Sequence, residues 1–298
     1  MTTIRLLALI CLLIPLSAAA ALNVLATVPE WAALAQEIGG DKVKVASATT
    51  AMQDPHHIDA RPSLIARARN ADLLLATGAE LEIGWLPVVQ RESGNPRIQN
   101  GQPGYFEAAA FVRMLEIPAR LDRAEGDVHA AGNPHVQTDP RNILAIGEAL
   151  AARLIQLDPP NAAAYRAGYA AFAERWRGLI RRWETMAAPL KGAAVVSQHK
   201  AWVYLYDWLG ISEVGTLEPK PGVEPSLSHL ARVRDQSATS RPRMVIRAAY
   251  NPARPAEWFA QEAKVPVVVL PFTVGGPEAA DLAALYETTV QRLLKGLR

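Results

Sequence analysis

The sequence predicts an α/β fold of two lobes, each with a mostly parallel sheet, joined by one long rigid helix. Short apolar runs alternate with helical patterns in both halves of the chain, which is typical of βαβ units. Between the halves, residues 162–187 contain no proline. A length of 298 residues accommodates two compact units. With 50% hydrophobic and 20% charged residues, the chain can bury a sizeable core, and wholesale disorder is excluded.

The N-terminus, residues 1–21, is predicted to be a secretory signal peptide, which places the mature protein in the periplasm. Arg5 precedes the apolar run Leu6–Leu16, and small residues follow it. An uncleaved membrane anchor is the alternative, but this run is shorter than the roughly 20 residues that a span requires. Cys11 is the single cysteine and lies inside the signal. The mature chain therefore has no disulfide and no thiolate metal ligand.

The first lobe is predicted over residues 22–160. A strand begins at Leu22, and Pro29 then suits the first position of a helix that Gly39 and Gly40 close. The other predicted elements of this lobe are strands over 43–47 and 72–76 and helices over 62–70 and 140–157. Asp158-Pro159-Pro160 ends the last of these helices.

The linking helix is predicted over residues 161–188, and the second lobe over residues 189–298. At 1.5 Å per residue, a helix over 162–187 is a rod of about 39 Å. Such a helix limits hinge closure, so we expect small loop motions when a ligand leaves. The second lobe is predicted to contain strands over 193–196, 243–246 and 265–270 and helices over 200–209, 255–263 and 277–297.

Charge and motifs exclude several function classes. With 31 Lys and Arg against 29 Asp and Glu, the chain offers no electrostatic footprint for nucleic acid. It contains no GxGxxG, GxxxxGK[ST], HExxH or GxSxG, so dinucleotide-binding, P-loop, zincin and hydrolase-elbow interpretations lose support.

Three histidines lie in loops next to predicted strands or helices. His56 lies between a strand and a helix, His135 precedes a helix, and His199 follows a strand of the second lobe. Imidazole nitrogens bind Zn²⁺ at about 2.0–2.1 Å, and a set of three leaves one position for water or a carboxylate. The three lie far apart in sequence, so only a fold that converges distant loops can bring them together.

At these residues the chain resembles the zinc- and manganese-binding solute-binding proteins of ABC importers, the ZnuA- and TroA-like family. The resemblance covers nearly the whole mature chain. It rests on Asp54-Pro55-His56, the phrase over 71–82, the stretch over 133–140, the long central helix and His199. It implies a metal-type periplasmic binding protein, not an enzyme, with an ion held between two lobes. It further implies a monomer that delivers the ion to a membrane ABC permease.

Carried over from the family, the metal ligands are His56, His135 and His199. The family pattern puts the ligand directly after Asp-Pro, so His56 is preferred to His57. His129 is either an auxiliary capture residue, a residue that supports the ligands, or an ordinary loop histidine at the cleft mouth. His229 is expected on the surface.

The chain departs from the family at two places. Many members carry a carboxylate ligand after the last strand of the second lobe, but residues 270–276 contain no acid. The fourth ligand stays open: water first, then Glu218, Glu224 or Asp281. Many zinc-binding members also have a long loop rich in histidine and acids, where this chain has only His129.

The transported ion is predicted to be Zn²⁺, because three nitrogen ligands suit zinc better than manganese, which prefers oxygen. A manganese-specific protein of the same kind is the first alternative. An exported zinc hydrolase is the second, since three histidines and a water also hold a catalytic zinc. A binding protein for an organic solute is the third.

Overall fold

The computed structural model describes residues 20–119, 129–276 and 278–298. The predicted signal peptide lies outside the described residues up to residue 19. The described chain forms two four-stranded sheets in which all strand pairs are parallel, flanked by helices and bridged by one long helix. The predicted fold class is confirmed. The lobe limits at 22–160, 161–188 and 189–298 stay a prediction.

The first sheet has the strand order β2-β1-β3-β4. Its strands are β1 (Leu22–Ala26), β2 (Val43–Ser47), β3 (Leu73–Ala76) and β4 (Tyr105–Glu107). The helices of this half are α1 (Pro29–Gly39), α2 (Pro62–Arg69), α3 (Leu86–Ser93) and α4 (Pro140–Leu157). The prolines that begin α1, α2 and α4 have the φ that the first helical turn requires and no N–H to leave unpaired.

The second sheet has the strand order β6-β5-β7-β8. The long helix α5 (Ala162–Ala187) precedes it in the chain. Its strands are β5 (Ala194–Ser197), β6 (Ser212–Thr216), β7 (Met244–Ala248) and β8 (Val267–Leu270). Its helices are α6 (Val203–Leu209), α7 (Leu227–Ser237), α8 (Ala253–Ala263) and α9 (Leu282–Leu297). The predicted starts of α6 and α9 were too early, because His199 and Lys200 stay in the loop and Asp281 caps α9 through the amide of Ala284.

The long helix α5 is hydrogen-bonded to both halves of the molecule. The indole N–H of Trp176 donates to the carbonyl of Pro140 at the start of α4, at 2.8 Å. About two turns further along the same face of α5, Trp183 donates to Glu287 on α9, at 2.9 Å. Both indoles are buried. Among the described residues, no helix has the length and apolar character that a membrane crossing requires.

Side chains also join the two halves directly, away from α5. Tyr286 on α9 donates its hydroxyl proton to the carbonyl of Gln137. Tyr204 on α6 donates to the carbonyl of Asn133 at 2.7 Å, and the Asn133 amide donates to the carbonyl of Lys200 at 2.7 Å. A wide rotation of the lobes would have to break these bonds as well as bend α5.

We therefore expect the small-angle scattering profiles of metal-free and metal-loaded protein to superimpose. The long helix α5 and the hydrogen bonds between the halves leave only the loops at the cleft free to move. Profiles that require a large rotation of one lobe against the other would contradict this expectation.

A buried carboxyl group of the first half is also hydrogen-bonded to the second half. Glu30 on α1 is almost fully buried and accepts a hydrogen bond from the hydroxyl of Thr273, in the loop after β8. Burial raises the pKa of Glu30 to about 7; the Thr273 bond acts in the opposite direction, and the nearby carboxyl of Glu82 adds to the rise. The protonated acid is therefore the form that the fold favours.

Glu30→Gln is expected to become progressively more stabilising, relative to the wild type, as pH rises. An acid whose pKa is higher in the folded state contributes stability below its unfolded pKa, near 4.5, and loses it as pH rises through about 7. The shift corresponds to about 3 kcal/mol at most. Urea unfolding of the metal-free proteins at pH 5 and pH 8 measures it. A difference between variant and wild type that is the same at both pH values would contradict the prediction.

Candidate metal centre

Three loops bring His56, His135 and His199 together between the two halves of the molecule. His56 lies in the loop after β2, His135 lies just before α4, and His199 lies two residues after β5. The ring of His56 is centred 5.3 Å from that of His135 and 5.7 Å from that of His199, and the last two are 5.4 Å apart. One nitrogen from each ring lies within 4.8 Å of the others. All three are buried, whereas the neighbouring His57 is exposed.

A side-chain oxygen contacts the Nδ1 atom of each ring. Asp54 contacts His56 at 2.8 Å, Asn133 contacts His135 at 2.8 Å, and Glu218 contacts His199 at 2.7 Å. Carboxylate and amide oxygens are acceptors, so each neutral ring carries its proton on Nδ1. The lone pair of each neutral ring then lies on Nε2, which is the nitrogen that can bind a metal.

Two of these contacts share one local geometry. In Asp54-Pro55-His56, the carboxylate of Asp54 accepts both the backbone N–H of His56, at 3.0 Å, and its ring nitrogen. In Asn133-Pro134-His135, the amide oxygen of Asn133 accepts hydrogen bonds from the backbone N–H of His135, at 3.1 Å, and from its ring nitrogen. The repeated Asp/Asn-Pro-His pattern is a local sequence signal for these orienting residues, whose role was not predicted. Glu218 gave no local signal because it lies on a different loop.

The Nε2 atoms of His56 and His135 are buried and have no hydrogen-bond partner among the described residues. A buried polar atom without a partner costs free energy, which a bound cation would recover. Burial lowers the pKa of His135 well below its ordinary value, and the adjacent rings of His56 and His199 act in the same direction. His135 is therefore neutral at physiological pH, which is the form that binds metal.

The loop after β8 closes one side of the cluster with an apolar wall. The ring of Phe272 packs edge-on against that of His135, 5.5 Å between centres, and Trp202 packs on Phe272. Residues 270–276 of this loop contain no acid. The other side opens into a cavity of about 350 Å³ whose lining includes Glu116, His129 and Lys200.

The three acids considered for the fourth position lie elsewhere. Glu218 is held on the outer nitrogen of His199 and by the backbone N–H of Gly222, at 2.8 Å. Asp281 caps α9, and Glu224 is exposed. Among the described residues, none of these acids belongs to the cluster of nitrogens. His229 lies in the first turn of α7, away from the cluster. It is half-buried, so the prediction that it lies on the surface was wrong.

Fold and site together define a two-lobed binding protein whose cleft is built around imidazole nitrogens. The comparisons agree: residues 24–296 match the family described as "Zinc-uptake complex component A periplasmic", and the chain belongs to that family. The family comprises substrate-binding proteins of metal-importing ABC transporters, not enzymes, so the hydrolase alternative is wrong.

The chain is similar to proteins that are named for different metals. It is 22% identical to the manganese ABC transporter substrate-binding lipoprotein PsaA of Streptococcus pneumoniae, over 93% of this chain and 89% of that protein. It is 24% identical to the high-affinity zinc uptake system protein ZnuA of Paracoccus denitrificans, over 72% of each chain. A crystal structure of ZnuA has the same fold, with a TM-score of 0.78 and 21% identity, over 93% of this chain and 100% of that one.

Glu218→Ala is expected to weaken zinc binding by about 10- to 100-fold, the usual cost of losing the partner that orients a metal-binding imidazole. Glu218→Gln keeps an oxygen acceptor for Nδ1 of His199, so its loss should be smaller. Competition titration against a zinc chelator measures both, with Glu224→Ala as the control from the same loop. An affinity of Glu218→Ala within twofold of the wild type would show that this contact does not support the site.

Proposed function

We propose that this protein captures Zn²⁺ with His56, His135 and His199 in the periplasm and, as a monomer, delivers it to an ABC permease in the membrane. The observation that carries the proposal is the convergence of three buried imidazole nitrogens within 4.8 Å of one another. Nitrogens that each lie about 2.0–2.1 Å from one ion are at most about 4.2 Å apart, so at most small movements of the rings bring these three nitrogens onto one ion.

The donor set favours zinc over manganese. Three neutral imidazoles suit zinc, whereas manganese prefers carboxylate, carbonyl and water oxygens. Residues 270–276, where the family resemblance leads one to expect an acidic ligand, contain no acid, and Phe272 from this stretch packs against His135 instead. Manganese is the second candidate, because PsaA is named for it.

The test is a competitive metal titration of the purified protein without residues 1–21, with elemental analysis of the metal that co-purifies. We expect one tightly bound Zn²⁺ per chain, Mn²⁺ bound more weakly, and loss of zinc binding when all three histidines become alanine. Tighter binding of Mn²⁺ would overturn the choice of metal. Unchanged zinc affinity in the triple variant would overturn the site.

A further inference from the structure

An ion pair between the two halves of the molecule lies at the cavity beside the three histidines. The ammonium group of Lys200, in the loop after β5, donates to the carboxylate of Glu116, in the segment after β4, at 2.8 Å. Both side chains line the cavity, together with His135 and His199. The two histidines are buried, whereas Glu116 and Lys200 are exposed. The ion pair therefore lies on the solvent side of the cavity and the histidines lie on its inner side.

The wall on the opposite side of the histidines is apolar and closed. The ring of Phe272 packs against that of His135, and Trp202 packs on Phe272. Both of these aromatic side chains are buried. An ion that leaves the histidines by way of the cavity passes Glu116 and Lys200 instead.

The backbone on both sides of this ion pair is held by hydrogen bonds. Leu115 donates its N–H to the hydroxyl of Tyr204 at 3.1 Å, and its carbonyl accepts the N–H of Asn133 at 2.8 Å. The carbonyl of Lys200 accepts the side-chain amide of Asn133 at 2.7 Å. Glu116 has a φ of 51°, which residues other than glycine rarely adopt and which persists where surrounding contacts hold it. The two charged side chains are exposed, so either can turn into solvent while the backbone stays in place.

We propose that the ion pair of Glu116 and Lys200 is a gate across the cavity, which lets the bound ion out when the pair parts; this inference rests on the proposed function. An ion pair as exposed as this one is weak and contributes up to about fivefold to an equilibrium. Such a pair opens readily. Its opening needs no rotation of the lobes, in agreement with the hydrogen bonds that join them to each other and to α5.

Lys200→Met distinguishes a gate from a simple effect of charge. The variant removes the ion pair and leaves the carboxylate of Glu116 at the cavity. If the pair is a gate, zinc release should become about two- to fivefold faster, because the contact that closes the cavity is lost. If charge alone acts, release should become slower, because an unpaired carboxylate attracts the cation. Lys200→Gln removes the same charge and should behave alike.

The measurement is stopped-flow release of Zn²⁺ from the loaded protein into an excess of chelator. Lys42→Met is the matched control. The ion pair of Lys42 with Asp41, at 2.9 Å, lies just before β2, whereas the loop with His56 follows that strand. This control should release zinc at the wild-type rate. Added salt should speed release from the wild type more than from Lys200→Met, since salt screens an exposed ion pair.

Reversal of the two charges provides a second readout. Glu116→Lys alone places two cations at the cavity and should speed release. Glu116→Lys combined with Lys200→Glu rebuilds the pair in the opposite order and should return the rate to near that of the wild type. Such a rescue is not expected from a loss of local structure.

Unchanged or slower release from the Lys200 variants, in folded protein that still binds one zinc, would overturn the gate and leave the proposed function intact. A charge-reversed double variant that releases zinc as fast as Glu116→Lys would also overturn the gate. A wild-type protein that binds no zinc would overturn the proposed function itself.

Discussion

His135→Ala is expected to lower zinc affinity by more than about 100-fold, because loss of a supporting partner alone costs 10- to 100-fold and this change removes a ligand. Among the three imidazoles, His135 is the most deeply buried, with 2% exposure. Its pKa lies well below the ordinary value, mainly because of burial, so it presents a neutral nitrogen to the ion. Competition with a zinc chelator at pH 7.5 measures the loss.

The matched control is His229→Ala, which removes a half-buried histidine from α7 in the second lobe. It should bind zinc as the wild type does. Circular dichroism establishes that both variants are folded. A folded His135→Ala protein with wild-type affinity would contradict the proposed ligand set.

Zinc affinity is expected to fall by at least about 10-fold between pH 7.5 and pH 5.5. A metal-bound imidazole must be deprotonated, and an imidazole with the ordinary pKa near 6.5 loses about a factor of ten in its neutral form at pH 5.5. Burial lowers the pKa of His135 well below its ordinary value, so this ring contributes less to the fall than an exposed imidazole would.

The measurement is a series of chelator competitions corrected for the chelator's own protonation. His57→Ala should show the same pH dependence as the wild type, because this exposed ring lies outside the cluster. An affinity that is constant from pH 7.5 to pH 5.5 would contradict a site built from imidazoles.

Much of the fold could be predicted from the sequence because its elements carry local signals. The limits of α4 and α5 agree with the structure, since prolines and an Asp-Pro-Pro stop mark them. The strand β4 was missed because it has three residues, and β6 because its sequence, SEVGT, has no apolar run. The helix α3 was missed, although the proline in its first turn is the same start signal as in α1, α2 and α4.

The positions of the three clustered histidines could be predicted because their motifs are local, whereas most of their surroundings could not. Asp54 and Asn133 each stand two residues before the ring that they orient, so the sequence holds that information. Glu218 meets His199 only through the fold of the second lobe. The same holds for Phe272, which reaches His135 from the loop after β8. Such pairings depend on loop conformations that no local pattern encodes.

The most direct test is an anomalous difference map at the zinc absorption edge, from a crystal of the zinc-loaded protein. The account predicts one strong peak in the cleft, about 2.0–2.1 Å from the Nε2 atoms of His56, His135 and His199. A fully occupied zinc peak away from these three rings, with their nitrogens left vacant, would contradict it.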